Sequence, residues 1–155
     1  MCLIIDTCCF ANVFNPNNHD HAHFKPVLIW ITQGKGKLIY GGKRYKSELS
    51  KCVKYFSLLT QLTVQGRVIT LNDDLVDDEE GNVLTKESNP DFDDPHLIAI
   101  AIVSRCRLIC TNDKRAHKYI KKNSLYPKGI KKPSIYSSIN HTNLLVNQNI
   151  VDICM

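Results

Sequence analysis

The chain has 155 residues, 43% of them apolar and 23% charged, with a net charge of +5 at neutral pH. That length and balance suit one globular domain spanning 1–155, able to bury roughly two-thirds of its unfolded surface. No apolar run approaches the ~20 residues of a membrane-spanning helix, so no membrane partner is expected.

The N-terminal run Met1-Cys2-Leu3-Ile4-Ile5 lacks a basic leader and is interrupted by Asp6, so it reads as a buried strand over Leu3–Asp6 rather than a signal peptide. Thr7–Phe14 turns into a helix, and Asn15-Pro16-Asn17-Asn18 breaks it. Phe24–Thr32 is apolar and helix-like, stopped by Gly34 and Gly36. Lys37–Tyr40 is a second strand closed by Gly41-Gly42. From Lys43 to Leu62 the apolar positions Leu49, Cys52, Val53, Phe56, Leu59 and Leu62 recur at helical spacing and predict one long helix carrying Glu48 in its first turns. Val68–Leu71 is a third strand. The acidic stretch 72–94 carries little pattern beyond a short helix. Pro95–Ser104 is so apolar that it is expected to be buried on most sides. Leu108–Thr111 is a fourth strand, followed by a basic helix over Lys114–Lys122. Ser134–Tyr136 predicts an edge strand and His141–Val146 a last helical turn.

Short apolar strands alternating with helices predict an α/β fold: a three-layer α/β/α sandwich around a short parallel sheet with both faces covered. In such folds reactive groups gather at the carboxyl ends of the strands. Asp6 and Asp113 lie at such ends, Asp94 opens a helix on the same side, and Glu48 follows the second strand. A carboxylate at the edge of a buried element is costly unless hydrogen bonds, basic partners or a metal ion compensate it. Gathered together, the four repel one another unless a divalent cation neutralises them. Taken singly, Asp94 before Pro95 and Asp113 before a helix also read as helix caps, and Glu48 as a macrodipole partner.

Charge is distributed unevenly. Ten of the fifteen acids lie in Asp73–Asp94, and eight basic residues occupy Lys114–Lys132. A second basic set runs from Lys35 through Lys54 around Glu48. Basic patches beside carboxylates suit a polyanion held against a metal site, although a charge run alone is more often a solvated face.

Ile4-Ile5-Asp6-Thr7, a mid-chain helical Glu48, Asp94-Pro95-His96-Leu97-Ile98-Ala99-Ile100-Ala101 and Leu108-Ile109-Cys110-Thr111-Asn112-Asp113 together resemble the PIN-domain nuclease family, which includes the VapC-like toxins. The likeness spans nearly the whole chain in order and approximate spacing. It implies a PIN-like fold, Mg²⁺- or Mn²⁺-dependent endoribonuclease activity, and Asp6, Glu48, Asp94 and Asp113 as the catalytic, metal-holding acids. A toxin role, with an antitoxin protein as partner, is a further implication. The chain departs from the family at Cys8-Cys9, where small or polar residues are expected.

Hard divalent ions prefer oxygen ligands and orient a water for in-line attack on a phosphodiester. Thr7, Thr111 and Asn112 are the candidates to orient the acids or touch phosphate. Arg44, Lys46, Lys114 and Arg115 are the candidates to neutralise flanking phosphates, which predicts loose sequence preference and strong salt dependence. Asp91 and Asp93 stand close enough in sequence to contribute or compete. The alternative is a catalytically inert PIN-like module that binds RNA or protein. A phosphatase of the haloacid-dehalogenase kind is disfavoured, because Cys8 stands where its second Asp is needed.

Other features carry weaker expectations. His19, His21 and His23 alternate in a loop and read as exposed. His96 reads as a packed, hydrogen-bonded core histidine, and His141 as structural. Cys8 and Cys9 lack an activating base. The seven cysteines are odd in number and mostly within apolar stretches, predicting free thiols in a reducing cytoplasm. Tyr55, Phe56 and Leu58 suggest an apolar helical face for a homodimer.

Overall fold

The computed structural model describes residues 2–146 and 151–155; Met1, which opens the N-terminal apolar run, lies outside them. Five short strands, β1 (Cys2–Ile5), β2 (Lys37–Tyr40), β3 (Val68–Thr70), β4 (Leu108–Cys110) and β5 (Ser134–Tyr136), form one sheet in the order β3-β2-β1-β4-β5. Every pairing is parallel, with Leu3 beside Leu38 and Ile4 beside Ile109. Helices are α1 (Phe10–Phe14), α2 (His21–Thr32), α3 (Lys43–Leu49), α4 (Phe56–Val64), α5 (Asp73–Lys86), α6 (Pro95–Ser104) and α7 (Lys114–Ile120).

Alternation along the strands sends residues to two separate cores. Cys2, Ile4, Ile39 and Ile109 pack with residues of α5, α6 and α7. Leu3, Ile5, Leu38 and Cys110 pack with residues of α1, α2 and α4. The result is the expected α/β architecture: a central parallel sheet between two helical layers. All of Pro95–Ile102 is buried. The chain runs outward from β1 to β3 on one side, then returns to β4 and β5 on the other. The direction of winding therefore reverses between β1 and β4, where open parallel sheets leave a crevice at their carboxyl ends.

Two segments differ from the sequence expectation. The helix predicted over Lys43–Leu62 is two helices, α3 and α4, separated by Ser50–Cys52 and a 3₁₀ turn at Val53–Tyr55. Tyr45 of α3 belongs to one core, whereas Tyr55, Leu59 and Leu62 belong to the other. A straight helix cannot serve both faces of the sheet, so the chain turns between them. Ser50 Oγ donates to the Ser47 carbonyl (2.6 Å) and Cys52 Sγ to that of Glu48 (3.7 Å), occupying acceptors freed at the break. Glu48 thus lies in the last turn of α3, not the first.

The second difference is the acidic stretch, which holds the 14-residue helix α5. Asn72 caps it by accepting the Leu75 amide, and Asp73 and Asp74 sit in the first turn, where the macrodipole favours them. Its contact with the core is confined to Val76 and Val83, seven residues apart on one face, which is why the apolar pattern is faint.

Gly42 precedes α3 at φ +85° and ψ 149°, a conformation nearly closed to other residues; its amide donates to Asp73 Oδ1 (3.0 Å), and a Cβ there would lie 2.7 Å from Val76 Cγ1. The tail docks through the 3₁₀ turn Asp152–Cys154, and Cys154 pairs with Cys2 of β1 as a disulfide, Cα to Cα 5.9 Å. That corrects the expectation that all seven cysteines are free: the two chain ends meet beside the same core. The other five cysteines are free thiols, with Cys9, Cys106 and Cys110 buried among apolar side chains.

Candidate metal centre

The crevice between β1 and β4 is where the predicted acids converge. Asp6, 4% exposed, follows β1 directly. Its Oδ1 accepts the Cys8 amide (3.2 Å) and its Oδ2 the Thr111 hydroxyl (2.7 Å). Tyr45 Oη donates to the Ile5 carbonyl (2.5 Å), which fixes the strand end immediately before it. Asp113 follows β4 and accepts the Arg115 amide (2.8 Å), so the capping reading holds for this residue. Burial would raise its pKa, but the Arg115 amide and guanidinium outweigh that and hold the carboxyl below its ordinary value.

Asp94 behaves differently. It sits at the N-cap of α6 with Pro95 at the first helical position, yet its side chain makes no capping hydrogen bond. Burial pushes its carboxyl up to about 6, with the negative charges of Asp6, Glu48 and Asp113 adding to the shift and His96 opposing it. The other three predicted acids, Asp6, Glu48 and Asp113, therefore all act on this one carboxyl.

Glu48 occupies the C-terminal turn of α3, where the macrodipole disfavours a negative charge. Local partners hold it there instead. Thr7 Oγ1 donates to Oε2 (2.9 Å), Arg44 Nε lies 3.8 Å from Oε1, and His96 Nε2 lies 3.4 Å from Oε2. Burial works to raise the Glu48 pKa, but His96, Thr7 and Arg44 prevail and the carboxyl stays below its usual range.

His96 is packed as expected, 1% exposed, but it is not hydrogen-bonded as expected: Nδ1 has no partner among the described residues, and the 3.4 Å contact of Nε2 with Glu48 lacks hydrogen-bond geometry. Its ring packs edge-on to Tyr45, at 6.2 Å between centroids. A buried imidazole left without a hydrogen bond is costly, and a bound cation would satisfy it. Ligand atoms of Glu48, Asp94 and His96 all lie within 4.8 Å of one another, the one such grouping among the described residues. Two carboxylates and an imidazole are a donor set that fits a divalent cation. The available signal was spacing: His96 stands two residues after Asp94, in the first turn of a helix that begins at the crevice.

Of the predicted orienting residues, Thr7 holds Glu48, while Thr111 bridges Asp6 and the Asp113 amide (3.1 Å). Asn112 does neither. Its Oδ1 accepts from Cys9 Sγ (3.4 Å) and Cys8 Sγ (3.7 Å). The Cys8 thiol is pushed well up by its hydrogen bond to Cys9, with burial and Asp6 adding to it, and Cys9 is raised chiefly by its bond to Cys110. Both stay protonated and poorly nucleophilic.

The predicted phosphate-binding cations are mostly committed elsewhere. Arg44 meets Glu80 (3.2 Å) and the Asp93 carbonyl, Lys46 meets Asp73 (2.5 Å), and Arg115 meets Asp93 (3.1 Å) and Asp113 (3.3 Å). Lys114 is exposed and has no ion pair among the described residues. Asp91 and Asp93 turn to Lys118 and Arg115 and leave the crevice. His19 pairs with Asp20 and His21 with the Asn12 carbonyl, so the alternating histidines form no cluster; His21 and His23 lie in α2, not in a loop. His141 Nδ1 accepts the Ser137 amide, a structural contact. On the expected dimer face, Tyr55 is buried against Phe10 and Phe14, leaving Phe56 exposed.

The chain matches no family model, no curated protein and no solved structure. Fold and crevice define it as a parallel α/β protein with a carboxylate–imidazole centre at the switch point of its sheet. No helix among the described residues is long and apolar enough to cross a membrane.

Proposed function

We propose that the protein is a PIN-like, metal-dependent endoribonuclease that hydrolyses phosphodiester bonds of RNA. The observation that carries the reading is the grouping of buried His96 with Glu48 and Asp94, whose ligand atoms lie within 4.8 Å of one another while His96 Nδ1 has no partner among the described residues, with Asp6 and Asp113 adding negative charge to the same crevice. Glu48, Asp94 and His96 would hold the ion, with Asp6 as the deepest carboxylate behind them. A bound divalent ion supplies charge neutralisation at the phosphate and a water of lowered pKa. Thr7 and Thr111 keep Glu48 and Asp6 oriented, and the Tyr45–Ile5 bond keeps the strand end from moving. An imidazole among the donors favours Mn²⁺ over Mg²⁺, which prefers an all-oxygen shell.

RNA as substrate follows from the PIN-like order of the four acids; the cytoplasm as compartment belongs to the same proposal, with the five free thiols in its favour and the Cys2–Cys154 disulfide against it. A toxin role paired with an antitoxin protein is a narrower form of the same proposal. The test is cleavage of end-labelled single-stranded RNA at low salt with Mn²⁺ or EDTA, beside Asp94→Asn and His96→Leu. Metal-dependent cutting lost in both variants supports the reading. Binding without cutting in the wild type would establish the inert RNA-binding module in its place.

A further inference from the structure

A cleft of about 370 Å³ opens beside the carboxylates, lined by Thr7, Cys8, Phe10, Ala11 and residues 51–55. Thr7 ties it to the metal centre through its 2.9 Å bond to Glu48, and Cys52 reaches the Glu48 carbonyl. Its inner wall is aromatic: Phe10 and Tyr55 are buried, 6.0 Å apart and nearly edge-on. Its outer edge carries Val53, 65% exposed, between Lys51 and Lys54. Lys54 Nζ stands 5.0 Å over the Tyr55 ring.

The cations of this edge differ from most of those on and around α3 and α7. Lys43, Arg44, Lys46, Arg115, Lys118 and Lys122 are each paired with an acid. Lys51 and Lys54 form no ion pair with an acid among the described residues. They line the cleft and are left to meet an incoming anion there, as exposed Lys114 is beside Asp113. An apolar, aromatic-walled cleft with cations at its mouth fits one chemical unit: a flat base joined to a phosphodiester backbone.

Resting on the nuclease reading, we infer that this cleft is a subsite for an unpaired nucleobase of single-stranded RNA, adjoining the scissile phosphate. The base enters between Ala11, Val53 and the aromatic wall, and Lys51 and Lys54 meet the phosphates on either side of it. A base held in a duplex is stacked and paired, and cannot enter without being flipped out. The subsite therefore selects unpaired strands and is indifferent to sequence, because every base presents an aromatic face.

The experiment measures binding in EDTA by fluorescence anisotropy, so that neither metal nor cutting contributes. Three labelled probes carry the same number of phosphates: a uridine RNA, an abasic ribose-phosphate strand and a closed RNA hairpin. The uridine strand should bind about tenfold or more tighter than the abasic one, as stacking of a single base allows. Ala11→Trp, which fills the cleft, and Val53→Asp, at an exposed position, should each remove that preference. Lys51→Glu with Lys54→Glu should weaken all three probes. Equal binding of the uridine and abasic strands to wild type would overturn the inference. So would a base preference that survives both cleft variants, or a hairpin bound as tightly as the open strand. Base-dependent binding without cutting in Mn²⁺ would refute the nuclease reading and leave the subsite standing; cutting without base dependence would refute the subsite alone.

Discussion

Two acidic regions of this protein have opposite fates. The acids of α5 and the loop after it, Asp73 to Asp93, lie on the surface and meet Lys43, Arg44, Lys46, Arg115, Lys118 and Lys122. In the crevice Asp6, Glu48 and Asp113 all press on the Asp94 carboxyl, with a buried imidazole and Arg44 beside Glu48 and Arg115 taken by Asp113. The first region is a solvated electrostatic clasp between helices. The second is an unbalanced pocket of negative charge in a low-dielectric setting, which a divalent cation would relieve. Counting charges does not separate them; burial and partnering do.

The sharpest way to break that contrast is to remove one charge from each region. Asp6→Asn should reduce RNA cleavage at least about a hundredfold, the range seen when one transition-state charge contact is lost. Lys46→Ala, in the clasp, should leave cleavage within a few-fold and shift stability by less than about 1 kcal/mol. Comparable losses from both substitutions would sink the distinction. His96→Leu sharpens it from the other side. It should lower Mn²⁺ affinity, read by titration calorimetry, by roughly tenfold or more.

Below these in size come effects on the frame that positions the crevice. Cys154→Ser should lower the melting temperature under non-reducing conditions by the loss of a nearly chain-long cross-link, a few kcal/mol at most. With reductant present, the substitution should make little difference. Gly42→Ala should cost about 1–3 kcal/mol, because only glycine adopts that backbone comfortably and Val76 leaves no room.

The smallest effect concerns pH. In the unfolded chain an aspartate titrates at roughly 3.9, whereas burial and neighbouring acids hold native Asp94 at about 6. Between those values the native state binds the extra proton, so this group stabilises the metal-free protein at low pH. That stability is lost as pH rises from about 4 to about 6. Urea unfolding in EDTA across that interval should show the decline, and Asp94→Asn should flatten it. Mn²⁺ should reverse the trend in the wild type, since its binding displaces the proton and strengthens as pH rises.

Much of this was legible along the chain. The five strands, the buried helix after Asp94 and the parallel α/β class follow from short apolar runs and their spacing, because burial on both faces of a sheet demands them. The four acids were legible because each interrupts or closes such a run. What the sequence could not show was partnership. The α3–α4 break arises because one amphipathic stretch must serve two opposite cores, a demand that helical periodicity does not encode. The acids of α5 find cations on α3, contacts that span up to 36 residues of chain in ways spacing does not reveal. His96 looks, in sequence, like any histidine in an apolar helix. Only the packing of α6 against the crevice sets its Nε2 against Glu48 and leaves its Nδ1 without a partner among the described residues, and only tertiary structure decides which buried polar group is satisfied.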